Sequence, residues 1–246
     1  MTGDQAAEDP AVGGRRLVLL RHAKSDWPDV ADHDRPLAKR GRRDAPVVGR
    51  WLGQAGYVPD AVVCSTALRA RETWELAAGG LLAAVPGASP AVRHEPRVYD
   101  ASVLGLLMLV REFAPEWRTA LVVGHNPGMA ELTAGLTDPP PEPPAAFPTA
   151  AVAVLALPGP WSDAGPGQAR LLAFAVPADM HSLFARGQVS LRLDHPDCAL
   201  CRYDFCTAYR FSVIAIRGNK QSKPSSALTV TTPTPPLSDA VLRLLS

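Results

Sequence analysis

The chain has 246 residues, of which 47% are hydrophobic, and a formal net charge of +1 from 25 Lys and Arg against 24 Asp and Glu. That is enough apolar material for one sizeable folded domain, or one domain and an appendage. The balanced charge excludes a global electrostatic footprint for nucleic acid or an anionic membrane, so recognition of an anion has to be local.

Residues 1–14 are polar, small and partly acidic, and are expected to be a disordered segment. They contain no apolar run like that of a signal peptide, and no later stretch approaches the roughly 18 apolar residues of a membrane span, so a cytoplasmic protein is expected. Between residues 15 and 178 short apolar runs alternate with longer periodic ones. This predicts βα units around a mostly parallel sheet, hence a three-layer α/β/α sandwich.

The first strand is expected over Arg16–Leu20. Leu17 to Leu20 is continuously apolar, as in a strand buried on both faces. Ala45, Val48, Leu52 and Ala55 recur at helical spacing and predict an amphipathic helix ending before Gly56. Its start has two solutions: Asp44 as cap with Pro46 in the first turn, or a start near Lys39 with Pro46 inside a kinked helix. Further strands are expected at Ala61–Cys64, Ala120–Val123, Ala150–Leu157 and Arg170–Val176. Helices follow Ser65 and Thr66, with an Ala67, Ala70, Trp74 and Ala77 stripe, then run from a Ser102 cap to Phe113, and begin again after Pro127. Cys64, inside its apolar strand, reads as a buried small hydrophobe. Six prolines from Asp138 to Pro148 make a stiff extended loop.

Beyond residue 178 the regular pattern fades, and residues 179–246 read as a largely disordered extension rich in Ser, Thr and Pro. His195, Cys198, Cys201 and Cys206 form a His-x2-Cys-x2-Cys-x4-Cys cluster of zinc-ligand types. The spacing is tight and unlike common fingers, so free thiols in a poorly ordered extension is the reading preferred over zinc, and the extension carries no assigned role.

The chemistry concentrates at three strand ends. Leu20 is followed by Arg21 and His22, Cys64 by Ser65 and Thr66 with Arg69 one turn on, and Val123 by Gly124 and His125. Ligands of open α/β sheets bind beyond the carboxyl ends of the strands, where parallel strands bring such groups together. Two arginines suit a phosphoryl group because the planar guanidinium donates paired hydrogen bonds and keeps its charge. Arg69 in a first helical turn also places the ligand near backbone N–H groups and the positive end of the helix dipole. A neutral His22 can attack phosphorus, and the surrounding positive charges lower its pKa, while a protonated His125 could help to bind the anion. Each residue alone has an ordinary structural explanation; their joint placement argues for chemistry. Asp26, Asp34 and Arg35 on the loop after the first strand are expected to be solvated or to tie down backbone, and are left outside the catalytic set.

LVLLRHAKSDW at residues 17–27, STALRARET at 65–73 and VVGHNPG at 122–128 together resemble the histidine phosphatases of phosphoglycerate-mutase-like fold. The likeness covers about residues 15–178. Within that family Arg-His-Ala-Lys, the DHDRPLAKRG segment at 32–41 and the compact domain are most similar to SixA-type phosphohistidine phosphatases. The resemblance implies a phosphate pocket of Arg21, His22, Arg69 and His125, with His22 as nucleophile and no metal or other cofactor. Larger relatives carry a glutamate proton donor, for which this chain offers only Glu95 and Asp100 without a secure match; Asp100 reads rather as a turn residue before the third helix. An alkoxide leaving group needs a placed acid, whereas the imidazole of phosphohistidine takes up its own proton near neutrality.

The expected function is therefore hydrolysis of protein phosphohistidine. The alternatives are a phosphatase of small phosphate esters or phosphosugars, and a phosphate-binding adaptor without turnover. The expected partner is a phosphorylated protein or a small phosphorylated substrate, with neither nucleic acid nor membrane involved.

Overall fold

A computed structural model describes residues 14–138, 147–185, 189–194, 207–217, 220–221 and 228–232. The expected disordered N-terminal segment, most of the proline-rich loop, and His195, Cys198, Cys201 and Cys206 lie outside the described residues. The chain divides into two compact units, Met1–Met180 and His181–Ser246.

In the first unit β1 (Arg15–Arg21), β2 (Ala61–Cys64), β3 (Ala91–His94), β4 (Thr119–Gly124), β5 (Val152–Leu157) and β6 (Arg170–Ala175) form one sheet of order β3-β2-β4-β1-β5-β6. The first four of that order run parallel, and β5 is antiparallel to both β1 and β6. The sheet is mostly parallel, as the βα alternation requires. Leu17 to Leu20 are wholly buried. Leu17 and Leu19 join Val63, Ala120, Val122, Ala153 and Leu155 in one core with α3 (Val103–Arg111) and α4 (Gly128–Leu136). By the two-residue period of a strand, Val18 and Leu20 face the opposite layer, built from α1 (Lys39–Gln54) and α2 (Leu68–Ala84). Full burial of each such side chain contributes about 1.5–3 kcal/mol, which fixes the register of the strand carrying Arg21 and His22.

Helix α1 takes the longer of its two solutions. It starts at Lys39 behind Ala38, so Pro46 lies inside it and Asp44 is not its cap. Asp44 is buried instead and accepts from Arg40 Nε at 3.2 Å and Arg43 Nε at 3.3 Å. Ser102 caps α3, its side chain accepting from the Gly105 N–H. Asp100, at φ 54°, is the turn residue expected before that helix. Cys64 is buried, and desolvation pushes its thiol up to about 12.

Several elements were not foreseen. The four residues of β3 are all exposed, and this edge strand exists through its pairing with β2 rather than through an apolar run. Helix α5 (Pro177–Ala185) starts on a proline, which suits a first helical position. In the second unit, within the stretch read from sequence as an extension, β7 (Val189–Asp194), β8 (Thr207–Arg217) and β10 (Leu228–Thr232) pair antiparallel in the order β10-β8-β7. The short β9 (Lys220–Gln221) pairs with β8. No helix among the described residues is long and apolar enough to cross a membrane.

Helices α1 and α2 approach through glycine. A Cβ at Gly49 would sit 1.7 Å from the Ala77 carbonyl oxygen, and one at Gly80 would sit 2.0 Å from that of Pro46. Gly79, by contrast, is exposed with nothing within 4 Å of such a Cβ. Alanine at 49 or 80 forces apart the helix that carries Arg69, and should lower stability by about 1–3 kcal/mol despite its better helix propensity. Gly79→Ala should instead raise it by up to about 1 kcal/mol. Thermal melts of the three variants check this; equal effects at 79 and 80 would contradict the close approach.

Candidate active site

The register of three adjacent strands assembles the site. Leu20 is paired with Val123 and Val123 with Cys64, while Arg21 is paired with Gly124. The residues that follow, His22 and His125, therefore emerge side by side from the same edge of the sheet, beside Ser65. Their rings lie 5.0 Å apart between centroids, at 51°.

The backbone at this edge is tied from several directions. The His22 N–H donates to the Gly124 carbonyl at 2.9 Å, and the Arg21 N–H to that of Ala151 at 3.1 Å. Ala150, at φ 61°, donates its N–H to the carbonyls of both Arg21 and His22. A non-glycine residue in the left-handed region costs about 1–2 kcal/mol, and here it secures the exit of β1. The Ala23 N–H donates to Thr73 Oγ1 at 2.9 Å, and that hydroxyl donates to the Arg69 carbonyl at 2.6 Å. One threonine thus joins the segment after His22 to the helical turn bearing Arg69.

His22 is 8% exposed. Its Nδ1 lies 2.8 Å from the Ala23 carbonyl oxygen. A carbonyl can only accept, so Nδ1 carries the proton and a neutral ring presents Nε2 as a lone pair. Burial, and then His125, Arg69 and Arg21, bring its pKa down to about 3 against the opposing Ala23 bond. His125 falls to about 4, chiefly by burial and the Arg69 charge, with Asp32 pulling the other way. Its Nε2 is 2.8 Å from Ser65 Oγ, a hydroxyl that accepts from the Ala67 N–H. Burial and the two guanidiniums thus favour the neutral form of both imidazoles.

Arg21 donates to the Phe147 carbonyl at 2.7 Å. Arg69, 6% exposed, donates through one terminal nitrogen to the Asp32 carbonyl and through the other to Asp32 Oδ2 at 3.0 Å. Both guanidiniums act on both imidazoles electrostatically, so the four residues singled out from sequence share one environment. Among the described residues, Arg21 Nε and His125 Nδ1 are buried polar atoms with no hydrogen-bond partner in the protein.

Sequence reasoning missed part of the surround. Asp32, on a single 3-10 turn (Asp32–Asp34), also accepts from Tyr99 Oη at 2.8 Å and from Arg35 at 2.8 Å. The Tyr99 ring meets His125 edge to face at 5.5 Å and His33 at 5.0 Å, and His33 Nε2 reaches Thr66 Oγ1 at 3.0 Å. The only hint of Asp32 in the sequence was its place in the DHDRPLAKRG segment. Arg35 is buried and ties down backbone as expected, donating to the Asp26 carbonyl and Ser25 Oγ, with its guanidinium stacked on Trp27. Glu95 follows β3 at this same edge, its N–H bonded to the Cys64 carbonyl. Hydrogen bonds from Arg97 hold its carboxyl below the usual range, so it is not placed as a proton donor. No group of three or more acidic, histidine or cysteine residues suited to a metal occurs among the described residues.

Comparison with known proteins shows the family of the chain. Residues 17–88 match the model of the histidine phosphatase superfamily (branch 1). An uncharacterized protein of Mycobacterium tuberculosis is 39% identical over 166 residues, spanning 64% of this chain and 99% of that protein. The structure of SixA from Nakamurella multipartitia, a candidate phosphohistidine phosphatase, superposes with a TM-score of 0.56 at 33% identity, covering 67% of this chain and 97% of that one. The protein histidine phosphatase SixA solved with tungstate shares the fold at 23% identity and a TM-score of 0.54, over 67% of this chain and 99% of its own. With Arg21, His22 and Arg69 inside the matched segment and the Nakamurella protein matched over 97% of its length at 33% identity, the chain is a phosphatase belonging to the histidine phosphatase superfamily.

Proposed function

We propose that the chain is a metal-independent phosphohydrolase that acts through a phosphohistidine on His22, and that it removes phosphate from protein phosphohistidine. The observation carrying this reading is the 2.8 Å bond from His22 Nδ1 to the Ala23 carbonyl, which leaves Nε2 as the nucleophilic atom among Arg21, Arg69 and His125. The two guanidiniums and His125 hold the phosphoryl oxygens. Arg21 Nε and His125 Nδ1, buried without protein partners, are suited to be satisfied by them.

In the first step Nε2 of His22 forms a bond to phosphorus as the bond from phosphorus to the substrate nitrogen breaks. The departing imidazole keeps the electron pair and takes up a proton from solvent water, leaving as the neutral ring. Water then attacks the phosphorylated His22, releasing inorganic phosphate and restoring the neutral ring. Glu95, tied to Arg97, supports a leaving group that needs no strong acid, and so a P–N rather than a P–O substrate.

Brief exposure to a phosphohistidine peptide followed by quenching should leave an acid-labile, alkali-stable phosphoryl label on His22. His22→Ala should carry no label and lose turnover by about a thousandfold or more. A wild-type protein that binds phosphate yet never acquires the label would be an adaptor. Faster turnover of simple monoesters than of the peptide would assign it to small esters.

The pH behaviour follows from two depressed imidazoles. Both folded pKa values lie below the ordinary value of 6.5, so the unfolded chain binds more protons between about pH 4 and 6.5. The stability these groups confer is complete above that window and is lost as pH falls through it. In phosphate-free buffer the Cε1 protons of His22 and His125 should show flat NMR shifts from pH 5 to 8. A midpoint near 6.5 for either ring would contradict its burial among positive charges.

A further inference from the structure

Resting on the reading of Arg69 as a ligand of the phosphoryl group, we propose that Asp32 is a positioning residue for that arginine. It sets which guanidinium hydrogens face the anion. Arg69 has five N–H donors in a rigid plane, and Asp32 takes one from each terminal nitrogen, through its backbone carbonyl and its Oδ2. This two-point grip fixes the rotation of the plane and leaves the remaining N–H groups for a phosphoryl oxygen pair.

Asp32 is itself held on every side. Oδ2 also accepts from Tyr99 Oη at 2.8 Å, and Oδ1 from Arg35 Nη1 at 2.8 Å. Arg35 is anchored in turn by the Asp26 carbonyl at 2.9 Å and Ser25 Oγ at 2.8 Å. The acidic group is thus one member of a network that leads from the segment after His22 across to α2. Hydrogen bonds from Arg35 and Tyr99, ahead of the Arg69 charge, keep its carboxyl far below the ordinary carboxylate range, which favours the ionised form near neutral pH.

A carboxylate beside an anion site also repels the anion, and the two effects oppose each other. The Asp32 side chain is 52% exposed, so water screens its repulsion, whereas the Arg69 side chain is 7% exposed and its orientation is not averaged by solvent. Orientation therefore outweighs repulsion. Losing the grip should cost anion affinity even though a negative charge is removed.

The test uses inorganic phosphate as the probe, measured by calorimetry and as a competitive inhibitor of turnover on the full chain. Asp32→Ala should weaken phosphate binding by about tenfold, within the loss that a small misplacement of a binding group brings. It should raise KM for a phosphoryl substrate by a similar factor, with less change in kcat. Both variants keep the backbone carbonyl that accepts from Arg69, but Asp32→Asn also keeps one side-chain acceptor oxygen without the charge, and should recover binding to within about threefold of wild type. Tyr99→Phe, which removes one donor to Asp32, should weaken phosphate about twofold to threefold and covers the case in which Asp32→Ala does not fold. Unchanged or tighter phosphate binding by Asp32→Ala, or by Tyr99→Phe where the alanine variant is unfolded, overturns the proposal. So does an equal loss in Asp32→Ala and Asp32→Asn. A wild-type protein that neither binds nor is inhibited by phosphate defeats instead the reading of Arg69 on which the proposal stands.

Discussion

The site depends on the alignment of β1, β4 and β2. Because Leu20, Val123 and Cys64 are level across three parallel strands, the next residues of each strand leave the sheet at one place. A shift of one residue in β1 would exchange its two faces, move His22 away from His125 and turn each buried leucine from the layer it packs in to the other. The hydrophobic core thus holds the catalytic geometry, and loops have only to finish it. Ala150 and Thr73 do so by fixing the first backbone groups beyond the strand.

The alignment also creates an electrostatic conflict that the protein answers by leaving its histidines uncharged. Two guanidiniums are always cationic, so a buried imidazolium beside them would be doubly unfavourable. Both rings therefore stay neutral, His22 with its proton fixed on Nδ1 by the Ala23 carbonyl. On the proposed reading, what binds an anion is then the same charge that keeps the nucleophile unprotonated. One positive field serves two purposes, and an arginine lost from the pocket would change both.

The sequence was informative where local chemistry decides structure. The apolar run Leu17 to Leu20, the Ser102 cap and the glycine after the first helix are signals contained within a few residues, and the strand ends they frame could be aligned on paper. Other features depend on contacts between distant segments. The edge strand β3 has no apolar pattern of its own and is defined by β2 thirty residues earlier. The start of α1 was undecided because Pro46 permits either solution until Ala38 meets the Lys24 carbonyl and Gly41 packs on the same backbone. Asp32 and Tyr99 reach the pocket from a 3-10 turn and a loop, 37 and 30 positions from Arg69 along the chain. Nothing in their neighbours announces that meeting.

Glu95 shows how position and chemistry separate. It stands at the end of β3, level with the residues that end β2, and on placement alone it is where a proton donor could act. Its side chain turns instead to Arg97, with both oxygens engaged and Arg93 at 3.7 Å, while Arg97 is shared with Glu112. A carboxylate so paired holds its negative charge more firmly, the opposite of what a general acid requires. On the proposed reading, the pocket then combines binding of a phosphoryl group and a ready nucleophile with no poised acid. Such a combination would favour substrates whose leaving group carries its own basic nitrogen.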